Sequence, residues 1–179
     1  MRKVIFGVFL FVIFSIILLN LDYVKADEID QGQLYIYDRI WENMTDEQRY
    51  EADIELKARA VRMTVEEFDL MSRVVEAESD RGYNLEGRVL IALTIFNRVN
   101  ASDFPNNIYD VCYQSGQFQV VYEGSIWGIG ATQRSDWAII EARRRINSGE
   151  APNVMYFNNH DYSYGTPYCY CDGNYFVTV

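Results

Sequence analysis

Histidine is nearly missing from this chain: among 179 residues there is one, His160. A catalytic zinc site ordinarily takes two or three, so a His-rich zinc hydrolase is excluded, and neither a metal nor another cofactor is expected. Basic residues are also scarce, 16 Lys+Arg against 26 Asp+Glu for a formal charge of −10. Contacts to a phosphate backbone need clustered cations, so nucleic acid is excluded as a partner. Three cysteines, Cys112, Cys169 and Cys171, allow one disulfide at most. In an oxidising compartment the simplest pairing joins Cys112 to either member of the Cys169-Tyr170-Cys171 pair. Neither internal repeats nor a low-complexity tract follows the first 26 residues. What the chain has in quantity is apolar side chain, 49%, ample for the core of one domain without metal or multiple disulfides.

Arg2 and Lys3 precede an uncharged apolar run, Val4 to Leu19, and Val24-Lys25-Ala26 places small residues at the −3 and −1 positions of a cleavage site. Residues 1–26 read as a secretory signal peptide, cut after Ala26. The run approaches the roughly 20 residues that span a bilayer, so an uncleaved membrane anchor is the competing reading. Cut there, the chain is Asp27 to Val179, 153 residues with 13 basic and 25 acidic side chains and a charge of −12. It is then exported and free of the membrane.

Residues 27–63 read as a polar arm followed by a charged helix, and 64–179 as the catalytic domain. Thr45-Asp46-Glu47-Gln48 has the spacing of a capping box and opens the first helix, to about Arg59. Thr64-Val65-Glu66-Glu67 repeats the device and opens a second, to about Glu78. Asn84 caps a third, Leu85 to Val99, whose Val89, Leu90, Ile91, Leu93, Ile95 and Phe96 are apolar on nearly all sides and so belong at the centre of a core. Ser102 to Gly130 is punctuated by Pro, Asn, Gly, Ser and Gln. It reads as a long ordered loop holding one helical turn and one strand, from the pieces Ile108 to Val111 and Gln117 to Tyr122, and such loops are usually functional. Ser135 caps a last helix to about Asn147, terminated by Gly149. Val154 to Phe157 and Tyr175 to Val179 suggest two short strands around a Gly/Asn/Asp-rich turn. The fold class is α+β, mainly α, with a small β element.

On a helical wheel advancing about 100° per residue from Phe68, Val74 falls at about 240°, Met71 at about 300°, Val75 at about 340° and Glu78 at about 280°. Glu78 therefore lies inside the apolar arc. Glu76 falls at about 80°, beside Asp69 at about 100° and Ser72 at about 40°, on the wet face. A carboxylate in the last turn of a helix and directed toward the core loses solvation and sits at the negative end of the helix dipole; both raise its pKa toward values useful to a general acid. The plain alternative is a glutamate at a frayed helix end, paired with Arg81 or Arg88.

The stretch from Val74 to Val99 resembles the SleB-like family of cell-wall hydrolases, which includes spore cortex-lytic enzymes. In that family a Glu-Ala pair, preceded by apolar helix, leads through a short turn to Glu-Gly, a buried helix and Asn-Arg-Val. Here these are Glu78-Ser79, Glu86-Gly87 and Asn97-Arg98-Val99. The similarity continues in order through Phe104-Pro105-Asn106, Val111-Cys112-Tyr113-Gln114, Gly116-Gln117-Phe118, Tyr156-Phe157-Asn158 and Gly173-Asn174-Tyr175-Phe176. The resemblance implies a peptidoglycan glycosidase of lysozyme-like or lytic-transglycosylase-like fold, acting in the cell wall or spore cortex, with the first glutamate as its acid. That position maps to Glu78. Two departures mark this chain: the turn between the glutamates is a residue longer, and Ser79 replaces the small apolar residue, which keeps Glu76 as an alternative anchor. The family's frequent histidine after Gly-Asn is Tyr175.

Breaking a glycosidic bond requires protonation of a poor leaving group, hence a carboxylic acid kept neutral near pH 7. A muramidase needs a second carboxylate, for which Asp80, Glu86, Asp103, Asp110, Glu123 and Asp161 are available; a lytic transglycosylase uses the muramyl 6-hydroxyl instead, and the resemblance favours that single-glutamate route. Glu86 reads as a helix first-turn acid. Gln117, Phe118, Tyr156 and Asn158 read as substrate-binding, because flat rings stack on sugar faces and amides exchange hydrogen bonds with hydroxyl and N-acetyl groups. The Tyr162, Tyr164, Tyr168 and Tyr170 cluster reads as rim or strand packing, Arg143 to Arg145 as a solvated helix face, and Asn97 and Arg98 as positioning neighbouring loops. A rival reading pairs Cys112 with His160 as a papain-like cell-wall cysteine peptidase. Another takes the aromatics as a non-catalytic secreted glycan-binding module.

Overall fold

A computed structural model describes residues 41–79 and 84–179. The signal-peptide reading, the polar arm up to residue 40, Asp80 and Arg81 lie outside the described residues. Helices α1 (Asp46–Ala60), α2 (Val65–Glu78), α3 (Leu85–Asn100), α4 (Ile108–Cys112) and α5 (Gln119–Tyr122) are followed by a 3₁₀ turn (Ser125–Gly128), helix α6 (Gln133–Ser148) and strands β1 (Val154–Asn158), β2 (Thr166–Cys171) and β3 (Asn174–Thr178). The chain divides into two units between Arg49 and Tyr50, and the core lies in the second. No described helix is long and apolar enough to cross a membrane.

Both capping boxes form. Thr45 and Gln48 exchange side-chain and backbone hydrogen bonds at 2.9 and 3.2 Å, and Thr64 and Glu67 do the same at 3.1 Å, each pair satisfying two free donors of a first turn. Asn84 caps α3 as expected. The cap of α6 is Thr132 and not Ser135: the chain is still extended at Thr132, whose hydroxyl accepts from the Ser135 N–H at 3.3 Å, and Ser135 already lies in the first turn.

Helix α3 is the axis of the core. Val89 to Phe96 are all buried, since α2, α4, α6 and β1 pack around it, and a helix apolar on all sides is stable only when so covered. The expected strand within 102–130 is absent; Gln119–Tyr122 is a short helix, and the segment holds α4, α5 and the 3₁₀ turn. Its length is too short for periodicity to separate helix from strand. The sheet has three strands, in the order β1-β3-β2, all antiparallel. The strand missed from sequence is β2, whose mostly exposed positions and Pro167 hide the alternation that marks a strand. Asp172 and Gly173 turn β2 into β3 with φ of 51° and 82°, the positive values that a two-residue hairpin needs.

Polar seams replace two surfaces that the wheel left wet. Ser72 is fully buried and donates to Asp136 of α6 at 2.7 Å, while Lys57 reaches the same carboxylate at 2.9 Å. The arginine run is likewise not a solvated face. Arg143 lies over the Phe96 ring at 4.1 Å, and Arg145 forks onto Glu86 with two contacts of 2.7 Å; only Arg144 is exposed. The Arg145–Glu86 fork ties α6 to the first turn of α3.

Gly87, in that first turn, has the β2–β3 turn pressed against it: a Cβ there would stand 2.3 Å from Cβ of Asp172. Alanine would gain up to about 1 kcal/mol of helix propensity, but the overlap with an atom fixed directly to the backbone costs about 1–3 kcal/mol. Gly87→Ala is therefore expected to lower stability by about 1–2 kcal/mol in denaturant titration, the steric cost prevailing.

Candidate active site

A groove of about 1230 Å³ opens between the end of α2, the segment before α5, and the sheet. The sequence-predicted residues meet here: Glu78, Gln117, Phe118, Tyr156 and Asn158 all line it. So does His160, on the exposed rim. Phe118, however, is 1% exposed and packs on Phe157 with ring centroids 6.3 Å apart; it supports the floor and offers no free face for stacking. The freely exposed rings are Tyr122 and Tyr164. Sequence reading gave Tyr122 no role, since an aromatic ending a four-residue helix carries no periodic signal.

Glu78 is the last residue of α2. The helix ends there because Ser79 takes an extended backbone, and Asn174, at the start of β3, donates to the Glu78 carbonyl at 3.2 Å. That bond brings the sheet up against the helix end. The Glu78 carboxyl has no hydrogen bond or ion pair to any described residue, and burial alone pushes its pKa up to about 7. Near neutrality it is divided between acid and carboxylate, the condition for donating a proton and later retrieving it. Among the described residues lining the groove it is the single carboxylate.

Glu76, two residues earlier, has the opposite environment. Its Oε2 accepts from the Thr132 and Ser135 hydroxyls at 2.7 Å each, and Arg88, itself 1% exposed, stands 3.4 Å from both oxygens. Burial raises its pKa, but the two hydroxyls and Arg88 outweigh this and hold it below the usual range. Glu76 thus does not sit on a wet face: it is the ionised centre of a seam joining α2, α3 and α6. Arg88 pairs with Glu76 and not with Glu78.

The sequence model of the cell wall hydrolase family matches residues 82–176. This chain belongs to the cell wall hydrolase family. The match begins after Glu78 and takes in the groove residues from Arg98 onward. Over 96 residues, this cell wall hydrolase family member is 31% identical to the spore cortex-lytic enzyme of Oceanobacillus iheyensis, covering 53% of this chain and 33% of the relative. It is equally identical to a spore cortex-lytic enzyme of Bacillus cereus, over 53% of this chain and 35% of that one. The similarity thus spans about a third of the length of these relatives. Among solved structures, the catalytic domain of Bacillus cereus SleB is similar with a TM-score of 0.54 at 24% identity, covering 64% of this chain and 91% of that domain. The catalytic domain of the germination-specific lytic transglycosylase SleB from Bacillus anthracis gives 0.50 at 26%, covering 63% and 93%. The fold is that of the SleB catalytic domain, mainly α and lysozyme-like, as the sequence led us to expect.

The cysteines of this family member do not form the expected bridge. All three are free: Cys112 is fully buried at the end of α4, while Cys169 and Cys171 are half-buried on β2. Burial pushes the Cys112 thiol up to about 12, so it is not the thiolate that a cysteine peptidase requires. In native protein treated with iodoacetamide at pH 8, peptide mass mapping is expected to find Cys169 and Cys171 alkylated and Cys112 untouched. Preferential labelling of Cys112 would restore the peptidase reading.

Proposed function

We propose that this protein cleaves the glycan strands of peptidoglycan by the lytic-transglycosylase route, with Glu78 as the single acid and base. The observation that carries the reading is a desolvated glutamate in the wall of a long groove, the single carboxylate among the described residues that line it. A two-carboxylate hydrolysis requires a partner within about 5–9.5 Å across the scissile bond. In the single-glutamate sequence, protonated Glu78 gives its proton to the glycosidic oxygen as the bond to C1 of the muramyl residue breaks. The resulting carboxylate then takes the proton of the muramyl 6-hydroxyl as that oxygen closes on C1, which leaves Glu78 protonated and the strand ending in a 1,6-anhydro sugar. Gln117 and Asn158 supply amides for hydroxyl and N-acetyl groups, and Tyr156 an aromatic wall.

Membership of the cell wall hydrolase family and the likeness to spore cortex-lytic enzymes support this substrate, and they support action outside the cytoplasm, in wall or cortex. The deciding experiment is incubation of the protein with purified peptidoglycan and mass spectrometry of the released muropeptides. Anhydromuramyl ends are the expected product. New reducing ends would replace the mechanism with hydrolysis, cut stem peptides would replace the bond class, and binding without release would make the protein a glycan-binding module.

A further inference from the structure

Arg98 presents an unusual arrangement in the same groove. It belongs to the last turn of α3, is 3% exposed, and lines the groove wall. Its Nε donates to the carbonyl of Met155 at 2.8 Å, fastening the side chain to β1. The rings of Phe104, Phe118 and Tyr156 surround the guanidinium, with centroids 5.3, 5.6 and 5.3 Å from its central carbon. Among the described residues no carboxylate pairs with it, in contrast to Lys57, Arg73, Arg144 and Arg145, which all contact acids. Burial accordingly lowers its pKa to about 10.

Ring faces attract a cation but accept none of its in-plane N–H bonds strongly, so the two terminal nitrogens are left with donors to place. A buried charge without a counter-ion costs stability. A chain with 26 acidic residues has carboxylates to spare, yet none is set here. Neutral sugar hydroxyls would be served as well by the amides nearby; a rigid, desolvated guanidinium fork matches a planar anion.

We infer that Arg98 is a carboxylate-binding subsite of the groove, receiving a carboxylate carried by the glycan strand. The source is either the free lactyl group of a muramyl residue whose peptide has been removed, or a carboxyl of the stem peptide. The inference rests on the glycan-cleavage reading for its substrate, and its test separates the two. The full-length Glu78→Gln protein, which binds without turnover, is titrated by calorimetry with three soluble glycan strands: peptide-bearing, peptide-stripped, and peptide-stripped with the lactyl carboxyls converted to methylamides. A lactyl subsite gives the tightest binding to the stripped strand and a loss of about tenfold or more on amidation. A stem-peptide subsite gives the tightest binding to the peptide-bearing strand and equal, weaker binding to the other two. In either case Arg98→Gln in the same background is expected to abolish the difference and Arg98→Lys to retain part of it. Equal affinity for all three strands overturns the subsite without any appeal to a variant. Muropeptide release by the wild-type protein tests cleavage independently, and the three affinities decide the subsite whether or not cleavage occurs.

Discussion

Glu78→Gln is expected to reduce glycan cleavage by about 10²–10⁴-fold while leaving the fold intact. The amide keeps the shape of the acid but has no proton to give. The wild-type enzyme should lose activity as pH rises above about 7, where the buried carboxyl ionises. The same group makes a stability prediction of definite sign. Its pKa is raised from 4.5 to about 7, so the stability it contributes is complete below the unfolded value and is lost as pH climbs through the folded one. Glu78→Gln removes that ionisation. The variant should therefore melt at the same temperature as wild type at pH 4 and at a higher one at pH 8, gaining stability where the natural enzyme is spending it on an acid. A glutamine that is inactive but shows no relative gain at pH 8 would mean that residue 78 is not desolvated in solution.

Glu76→Ala should do the reverse. It takes away the carboxylate that receives Thr132, Ser135 and Arg88, and removing one partner of such a seam costs about 2–4 kcal/mol. For a domain of this size that is a fall in Tm of about 5–15 °C. Cleavage rate per folded molecule, measured well below the transition, should fall by less than about threefold, because Glu76 faces α6 and not the groove. A large loss of rate with unchanged Tm would instead move the acid to Glu76. The two variants thus form a pair: one loses chemistry and keeps stability, the other loses stability and keeps chemistry.

Which features could be read in advance follows from how far apart in sequence their causes lie. The capping boxes at Thr45 and Thr64, the buried α3 and the αL terminus at Gly149 are set by residues within a few positions of one another, and they form as expected. Glu78 was legible because one wheel records both its face and its place at a helix end. Glu76 was misplaced for the same reason: a wheel ranks faces by hydrophobicity and has no means of marking a polar seam whose partners lie 56 and 59 residues away. Ser135 suits a cap by residue type, but the helix begins one turn earlier and Thr132 takes the position. Arg98 read as a helix-end residue, and its Nε does hold β1; the ring enclosure requires Phe104, Phe118 and Tyr156 to converge from three separate segments. The disulfide expectation failed because cysteine spacing does not say where the fold carries each thiol: Cys112 ends α4, Cys169 and Cys171 lie on β2, and all three are free.

The hydrogen bond from Asn174 to the carbonyl of Glu78 joins positions 96 residues apart. On the ribosome, α2 is complete long before the hairpin that closes over its end has been made. The burial that raises the pKa of Glu78 belongs to the folded chain, in which the start of β3 lies against the end of α2. A neutral acid at position 78 therefore requires the C-terminal strand as well as the helix that carries it.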